Sequence, residues 1–258
     1  MIDMIKTAIN GINGKMGKVL TNSVMQTEGM DLVCGFDIYD EPNGICRIYK
    51  AYEDCKEDID VIIDFSHPSM FKPLLEYAVK RKIPLVTATT GLSEDDLALM
   101  KERSKEIPIF HSANMSLGIN LLIDLVKKAA GILYGNYDIE IIEKHHNQKI
   151  DAPSGTALMI ADEITDAVND NMVYKYDRHS QRKKREKNEI GIHAVRGGTI
   201  VGEHEVIFAG KDEILTVSHT AMSKEIFATG GIRAAKFIFD KKPGLYTMKE
   251  LVGSKEGN

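Results

Sequence analysis

Along the first 112 residues the apolar positions follow two rhythms. Short, nearly continuous apolar runs ("IKTAIN", "MDLVCGFD", "IDVIIDFS", "IPLVTATTG" and "IPIFHSAN") read as strands. Between them apolar residues recur at helical spacing, as in "KMGKVLTNSVMQ". "IDVIIDFS" is apolar enough to be buried on both faces, the habit of a parallel strand. Pro68 and Ser69 open a helix that the spacing carries to Val79. Ser93 with Glu94, Asp95 and Asp96 opens another, because first-turn acids suit the helix dipole. Strands separated by helices of this length predict βαβ units and a doubly wound parallel sheet.

After Asn114 the pattern changes. One long helix is expected over "SLGINLLIDLVKKAAGIL", with positions 121, 122, 125, 126, 129 and 133 as its apolar face. "YDIEIIEKHH" reads as a strand and 156–168 as a helix. From Gly191 come "GIHAVRGG", "IVGEHEVIFAG" and "EILTVSHTA", with Gly210-Lys211-Asp212-Glu213 as a hairpin turn. Antiparallel pairing, and so an α+β second domain, is expected there. The tail from Ser223 is helical again, with Pro243-Gly244 as a turn.

Composition narrows the class. With 258 residues, 43% of them hydrophobic, the chain can bury a sizeable core as one large domain or two small ones. A net charge of −5 asks for neither nucleic acid nor a membrane surface. Lys6 and Asn10 interrupt the opening apolar residues, so no signal-peptide core is expected. No run approaches the roughly 18 apolar residues that cross a bilayer. Cys34, Cys46 and Cys55 are odd in number and lack CxxC spacing, and two sit in polar surroundings. A reduced, cytoplasmic setting is the simplest account. The basic stretch 178–187, "RHSQRKKREK", reads as a solvated connection, or alternatively as an attractor for an anionic ligand.

Candidate chemistry begins at "INGINGKMG", between the first strand and first helix. Gly11, Gly14 and Gly17 form G-x-x-G-x-x-G, a variant of the dinucleotide fingerprint. It sets backbone N–H groups and a helix N-terminus against a pyrophosphate, with Asn13, Lys15 and Met16 in the same turn. Asp37 ends the second strand 37 − 17 = 20 residues past the last glycine, where an acid accepts from the adenine ribose hydroxyls. A helix cap or turn residue is the plainer alternative for Asp37. Ile38, Tyr39, Asp40 and Glu41 follow, with no cation for a 2′-phosphate and three acids to repel one, which favours NADH over NADPH. "DFSHP" (with Phe65 and Ser66), "TATTG" (with Thr89, Thr90 and Gly91) and "HSANMSLG" (with Ser112, Asn114 and Met115) end later strands, where open α/β sheets bind ligands. His111 reads as a packed or exposed residue rather than a catalyst.

"EKHHNQKIDAPSGTA" raises a second question. His145 and His146 close a strand, so their side chains point to opposite faces, which argues against a shared metal ion. Zinc held with His193, His204 or His219 is the disfavoured alternative, and no metal is expected. Lys149 follows His145 by four residues, so the two can flank one ligand as a proton-transfer group and a cation. Asp151 and Pro153 precede Ser154, Gly155 and Thr156, which start a helix and offer a carboxylate-sized anion site. Ser154 is equally an N-cap. Arg196 with Gly197-Gly198 reads either as a carboxylate fork or as a plain turn.

Taken in order, "GINGKMG", "DFSHP", "TTG", "EKHHNQKIDAPSGTA", "VRGGTIVGEH" and "GGIRAAKF" resemble the dihydrodipicolinate reductase family nearly from end to end. The resemblance implies an α/β fold: an N-terminal Rossmann-type domain over 1–114, completed by about 225–258, and an α+β substrate-binding and tetramerisation domain over about 115–224. It implies NAD(P)H-dependent reduction of the dicarboxylate 4-hydroxy-tetrahydrodipicolinate, with loss of water, in a homotetramer that closes over its ligand. His145 would give or take the proton, and Lys149 would be acid and cationic partner. His146, Ser154, Gly155 and Thr156 would hold the substrate carboxylates. NADH, with NADPH accepted less well, is the expected cofactor, because Ile38 stands where an arginine can sit in relatives. The rivals are another Rossmann-fold dehydrogenase of an amino-acid-like acid and a non-enzymatic dinucleotide-sensing regulator. The first leaves the ordered HHxxK and PSGTA elements unexplained, and the second gives His145 and Lys149 no role.

Overall fold

The computed structural model describes residues 4–39 and 41–254. In chain order it begins with β1 (Ile5–Asn10), α1 (Lys15–Met25), β2 (Met30–Phe36) and β3 (Arg47–Tyr49). A 3-10 turn at Tyr52–Asp54 leads to β4 (Val61–Asp64), α2 (Pro68–Arg81), β5 (Leu85–Thr87), α3 (Glu94–Arg103) and β6 (Pro108–His111). Then come α4 (Leu117–Leu133), β7 (Asp138–His145), α5 (Gly155–Val168), β8 (Val173–Lys175), β9 (Glu189–Arg196), β10 (Gly202–Ala209) and β11 (Ile214–Ala221). The chain finishes with α6 (Glu225–Ile238), β12 (Gly244–Tyr246) and α7 (Met248–Gly253). It divides into two compact units, 1–117 with 224–258 and 118–223.

Unit 1 is a seven-stranded parallel sheet in the order β12-β6-β5-β4-β1-β2-β3. Every residue of β4 is buried, as its continuous apolar run requires. One face packs Phe36, Tyr52, Phe71, Leu74 and Ile109; the other packs Ile9, Leu20, Ile63, Phe110 and the helix α6. Two strands of this sheet were not expected from the sequence. β3 is too short to show alternation, and Gly244, expected as half of a turn, opens β12 against β6 instead. Helix α3 carries the expected acids, with Ser93 and Asp96 as a reciprocal capping box.

Unit 2 is a five-stranded mixed sheet, β11-β10-β7-β9-β8, with α4 and α5 packed on one face. β10 pairs antiparallel with β7 and β11, through the expected Gly210–Glu213 turn. β9 departs from the expected antiparallel pairing: it runs parallel to β7, which lies between β9 and β10. The apolar face of α4 also needs correction. Ile119, Leu122, Ile123, Val126 and Ala130 are buried, whereas Leu121 and Leu125 are exposed. "LLIDLV" is apolar over more than half the helix circumference, so spacing alone left its register open.

Candidate active site

In unit 1 the βα turn after β1 is built by glycines that tolerate no side chain. Gly11 takes φ +77°, a left-handed conformation, and its N–H donates to Phe36 O at 2.8 Å. A Cβ on Gly17 would lie 2.1 Å from Gly11 O, so this glycine sets how closely α1 approaches the turn. Helix α1 starts at Gly14 with no side-chain cap, unlike α2, α3 and α5, whose starts are capped by His67, Ser93 and Ser154. An uncapped start backed by glycines fits a phosphate group.

A cavity of about 450 Å³ opens beside this turn. It brings together Gly11, Asn13, Gly14, Asp37, Phe65 and Ser66 of the expected cofactor residues. Asp37 is a turn residue as well: its carboxylate accepts from the N–H groups of Asn13 (2.9 Å) and Tyr39 (3.1 Å). Ile38, Tyr39, Glu41 and His67 also line the cavity, while Asp40 lies outside the described residues. Lys15 and Met16 begin α1 beside it.

The remaining expected cofactor residues lie at the carboxyl ends of β5 and β6. Thr90 and Gly91 are exposed there. The Thr89 hydroxyl turns inward and donates to Asp64 Oδ2 at 2.8 Å. Ser112 and Asn114 bond each other, and Met115 is buried in the core. Asp64, missed in the sequence, is fully buried and also accepts from Asn10, Ser66 and Thr87. These donors offset the cost of a buried carboxylate and tie together the ends of β1, β4 and β5. Burial lowers the pKa of His111, and its Nδ1 faces Thr87 O at 3.3 Å.

In unit 2 the histidine pair divides as the strand predicts: His145 is buried and His146 half-buried. His145 Nδ1 lies 2.6 Å from Glu143 Oε2, on the same face of β7. A carboxylate only accepts, so the proton sits on Nδ1 and Nε2 keeps its lone pair. That nitrogen lies over Gly202, where a Cβ would come within 3.1 Å. Burial lowers the His145 pKa against the opposing pull of Glu143, so the ring is neutral at pH 7.

Glu143 is the hub. It is fully buried, accepts both guanidinium nitrogens of Arg196 at 2.7 Å, and accepts the Ser154 N–H at 3.0 Å. Burial alone would raise its pKa; the bonds from Arg196, His145 and Ser154 outweigh it and hold the carboxyl below its ordinary range. Arg196 is therefore a fork, but for a protein carboxylate. Ser154 caps α5 by accepting from Ala157 N, and its Oγ lies 3.0 Å from His204 Nε2. His204 packs edge-on against His145 at 5.2 Å, and burial, with His145 beside it, pushes its pKa down to about 4. Lys149 Nζ reaches Asp151 Oδ1 at 2.8 Å in the turn between β7 and α5. Gly155 is exposed and Thr156 half-buried at the start of α5.

Glu143 had a signal in the sequence, since period-two alternation puts 143 and 145 on one face. For Arg196 the fork was one of two sequence readings, but its partner was not legible, and His204 was read only as a disfavoured zinc ligand, because both meet His145 only through the pairing of β7 with β10 and β9. The basic stretch is only partly solvated: Arg178 and Arg185 pair with Glu140, while Arg182 and Lys184 are exposed. Among the described residues the only cluster with metal-ligand geometry is Cys34, Cys55 and Glu57. No helix among them is long and apolar enough to cross a membrane.

Comparison with known proteins bears on both units. Residues 5–115 match the N-terminal part of dihydrodipicolinate reductase, and residues 118–252 match its C-terminal part. The 4-hydroxy-tetrahydrodipicolinate reductase of Caldanaerobacter subterraneus subsp. tengcongensis is 55% identical over 249 residues, 96% of this chain and 98% of its own. The enzyme of that name from Clostridium novyi is 48% identical, over 98% of this chain and its own full length. Among solved structures, a dipicolinate-bound dihydrodipicolinate reductase from Paenisporosarcina sp. TG-14 superposes with a TM-score of 0.81 at 25% identity, covering 95% of this chain and 97% of that one. The chain belongs to the dihydrodipicolinate reductase family.

Proposed function

We propose that this chain reduces 4-hydroxy-tetrahydrodipicolinate to tetrahydrodipicolinate with a nicotinamide dinucleotide, its family's step in lysine and diaminopimelate biosynthesis. The observation that carries the site assignment is His145, a neutral buried imidazole oriented by an ionised Glu143 and followed four residues later by Lys149. A bound nicotinamide would supply hydride to the substrate ring. Reduction with loss of the ring hydroxyl as water leaves one proton to be delivered, and this falls to the chain.

Lys149 is the proton donor, held in place by Asp151, and its charge draws a substrate carboxylate. His145 uses Nε2 to accept and return protons, with Glu143 keeping its tautomer fixed. His146, Gly155 and Thr156 take the other carboxylate at the start of α5, where the helix dipole favours an anion. Ser154 serves that site by capping the helix, since its hydroxyl is already engaged by Ala157 N–H and His204.

The glycine turn and cavity of unit 1 take the dinucleotide, with Asp37 at the adenine ribose and with Thr89 to Gly91 and Ser112 to Met115 toward the nicotinamide end. NADH is preferred and NADPH used less well, because Asp37 and Glu41 repel a 2′-phosphate and Ile38 offers it no cation. The sheet face of unit 2 away from α4 and α5 carries Ile142, Val195, Ile207 and Ile214, the last 68% exposed. It serves as the assembly face of a homotetramer working in the cytoplasm.

The test is a coupled assay in which dihydrodipicolinate synthase, pyruvate and aspartate semialdehyde generate substrate while nicotinamide absorbance is followed with NADH and NADPH in parallel. Synthase-dependent oxidation, faster with NADH, is expected. His145→Gln and Lys149→Ala should each cut kcat by about two orders of magnitude or more while leaving NADH binding intact. Wild-type turnover in either variant removes that residue from the mechanism.

A further inference from the structure

Cys34 and Cys55 take no part in the chemistry above, yet they meet inside unit 1. Cys34 lies in β2 and Cys55 directly follows the 3-10 turn, with their sulfurs 3.7 Å apart. Both are buried. The third cysteine, Cys46, packs on the opposite face of the sheet, so the fold selects one pair from three thiols.

Their surroundings suit redox chemistry. Cys55 Sγ donates to Glu57 Oε2 at 3.3 Å, and the Tyr49 hydroxyl lies 2.6 Å from both carboxylate oxygens of Glu57. Burial alone would raise the Glu57 pKa, but the bonds from Tyr49 and Cys55 outweigh it and keep a proton acceptor beside the thiol. Cys55, though only 3% exposed, also lines a cavity of about 640 Å³ with Lys56, Glu76, Tyr77 and Arg81, the side from which a small polar oxidant would approach it. Cys34 does not line it. Along β2, Cys34 is three residues from Asp37, and Phe36 between them packs on Tyr52 at 5.0 Å.

We propose that Cys34 and Cys55 are a redox-active pair that a hydroperoxide converts into a disulfide, and that this bond weakens dinucleotide binding at Asp37. In the first step Cys55 sulfur attacks a peroxide oxygen while Glu57 takes the thiol proton. The O–O bond breaks, Cys55 is oxidised to a sulfenic acid, and the leaving oxygen departs as water (or an alcohol) with the proton from Glu57. In the second, Cys34 sulfur attacks the sulfenic sulfur; the S–O bond breaks and a second water leaves with the Cys34 proton. Burial pushes the Cys34 thiol up, which makes this closing step the slower. A disulfide is about 2 Å long. Closing from 3.7 Å therefore pulls β2 and the 3-10 turn together and moves Asp37, Ile38 and Tyr39 at the cavity wall. The second half of the proposal rests on that cavity being the dinucleotide site.

The test uses the full chain, reduced with dithiothreitol or treated with hydrogen peroxide. Thiols are titrated after denaturation, disulfides are mapped by peptide mass spectrometry, and NADH is titrated by fluorescence. Peroxide should consume two of the three thiols, yield a Cys34–Cys55 link, and raise the NADH dissociation constant about fivefold or more, reversibly. Cys34→Ala and Cys55→Ala should each bind NADH like the reduced protein and resist the shift, which also controls for methionine oxidation. Three free thiols after peroxide, or a link through Cys46, overturns the pair. A mapped Cys34–Cys55 link with unchanged NADH affinity overturns the control of binding. A reduced protein that fails to bind NADH sinks the cofactor assignment of the cavity instead, and mapping still decides the pair.

Discussion

Glu143 is an ion that the fold cannot leave alone. Buried with Arg196 on one side and His145 on the other, it exchanges water for four donors, and the loss of its charge leaves the Arg196 guanidinium with backbone carbonyls but no bonded carboxylate. Glu143→Gln should therefore cost about 3–5 kcal/mol of stability. It should also lower kcat by about two orders of magnitude, because an amide no longer fixes the His145 proton on Nδ1. NADH affinity should not change. Since Glu143 supports the protonated ring, its removal should move the acidic limb of the pH–rate profile to lower pH, a shift that lost packing alone would not give. His204 gives a second test at this scale. Its folded pKa of about 4 lies below the unfolded value, so between them the unfolded chain binds the extra proton. The contribution is fully present above about pH 6.5 and lost as pH falls toward 4, on the order of 3 kcal/mol. Urea midpoints across that range should fall steeply in the wild type and less steeply in His204→Asn; equal slopes would clear His204 of the effect.

At the scale of elements, the glycine turn shows how a spacing becomes a geometry. Gly17→Ala places a methyl 2.1 Å from a backbone oxygen that no rotamer change can move. About 3 kcal/mol of strain and a marked loss of NADH affinity are expected, measured by thermal unfolding and by titration. Unchanged NADH affinity would mean that the turn does not approach the ligand. This turn was legible in advance because glycines at fixed intervals after a strand have few other uses. So was the stretch from His145 to Thr156, whose polar residues are costly to gather. The three-residue strands β3, β8 and β12 were not legible, being too short to show alternation. Nor was the partnership of Arg196 with Glu143, which depends on β9 running parallel to β7, a choice made by packing across the sheet.

For the whole molecule, the chain's two ends build one unit and its middle the other. Phe237 of α6 packs on Phe110 and Tyr246, so C-terminal residues complete a core begun at the N-terminus. Phe237→Ala should cost about 3–5 kcal/mol. Hydrogen exchange should speed up in β5 and β6 while β7 and β10 keep their protection; a uniform change across both would show that the units unfold together.

That same closure sets an order of events on the ribosome. Residues 118–223 form a continuous segment and can pack as soon as they have left the exit tunnel. The N-terminal half of the larger sheet emerges earlier but must wait, with the β4, β5 and β6 surface that α6 will cover still bare, until the last part of the chain is translated. A chain stalled before Glu225 would expose that surface to chaperones and to other nascent chains. The C-terminus, remote in sequence from every candidate catalytic residue, thus decides whether the first-made part of the protein survives its own synthesis.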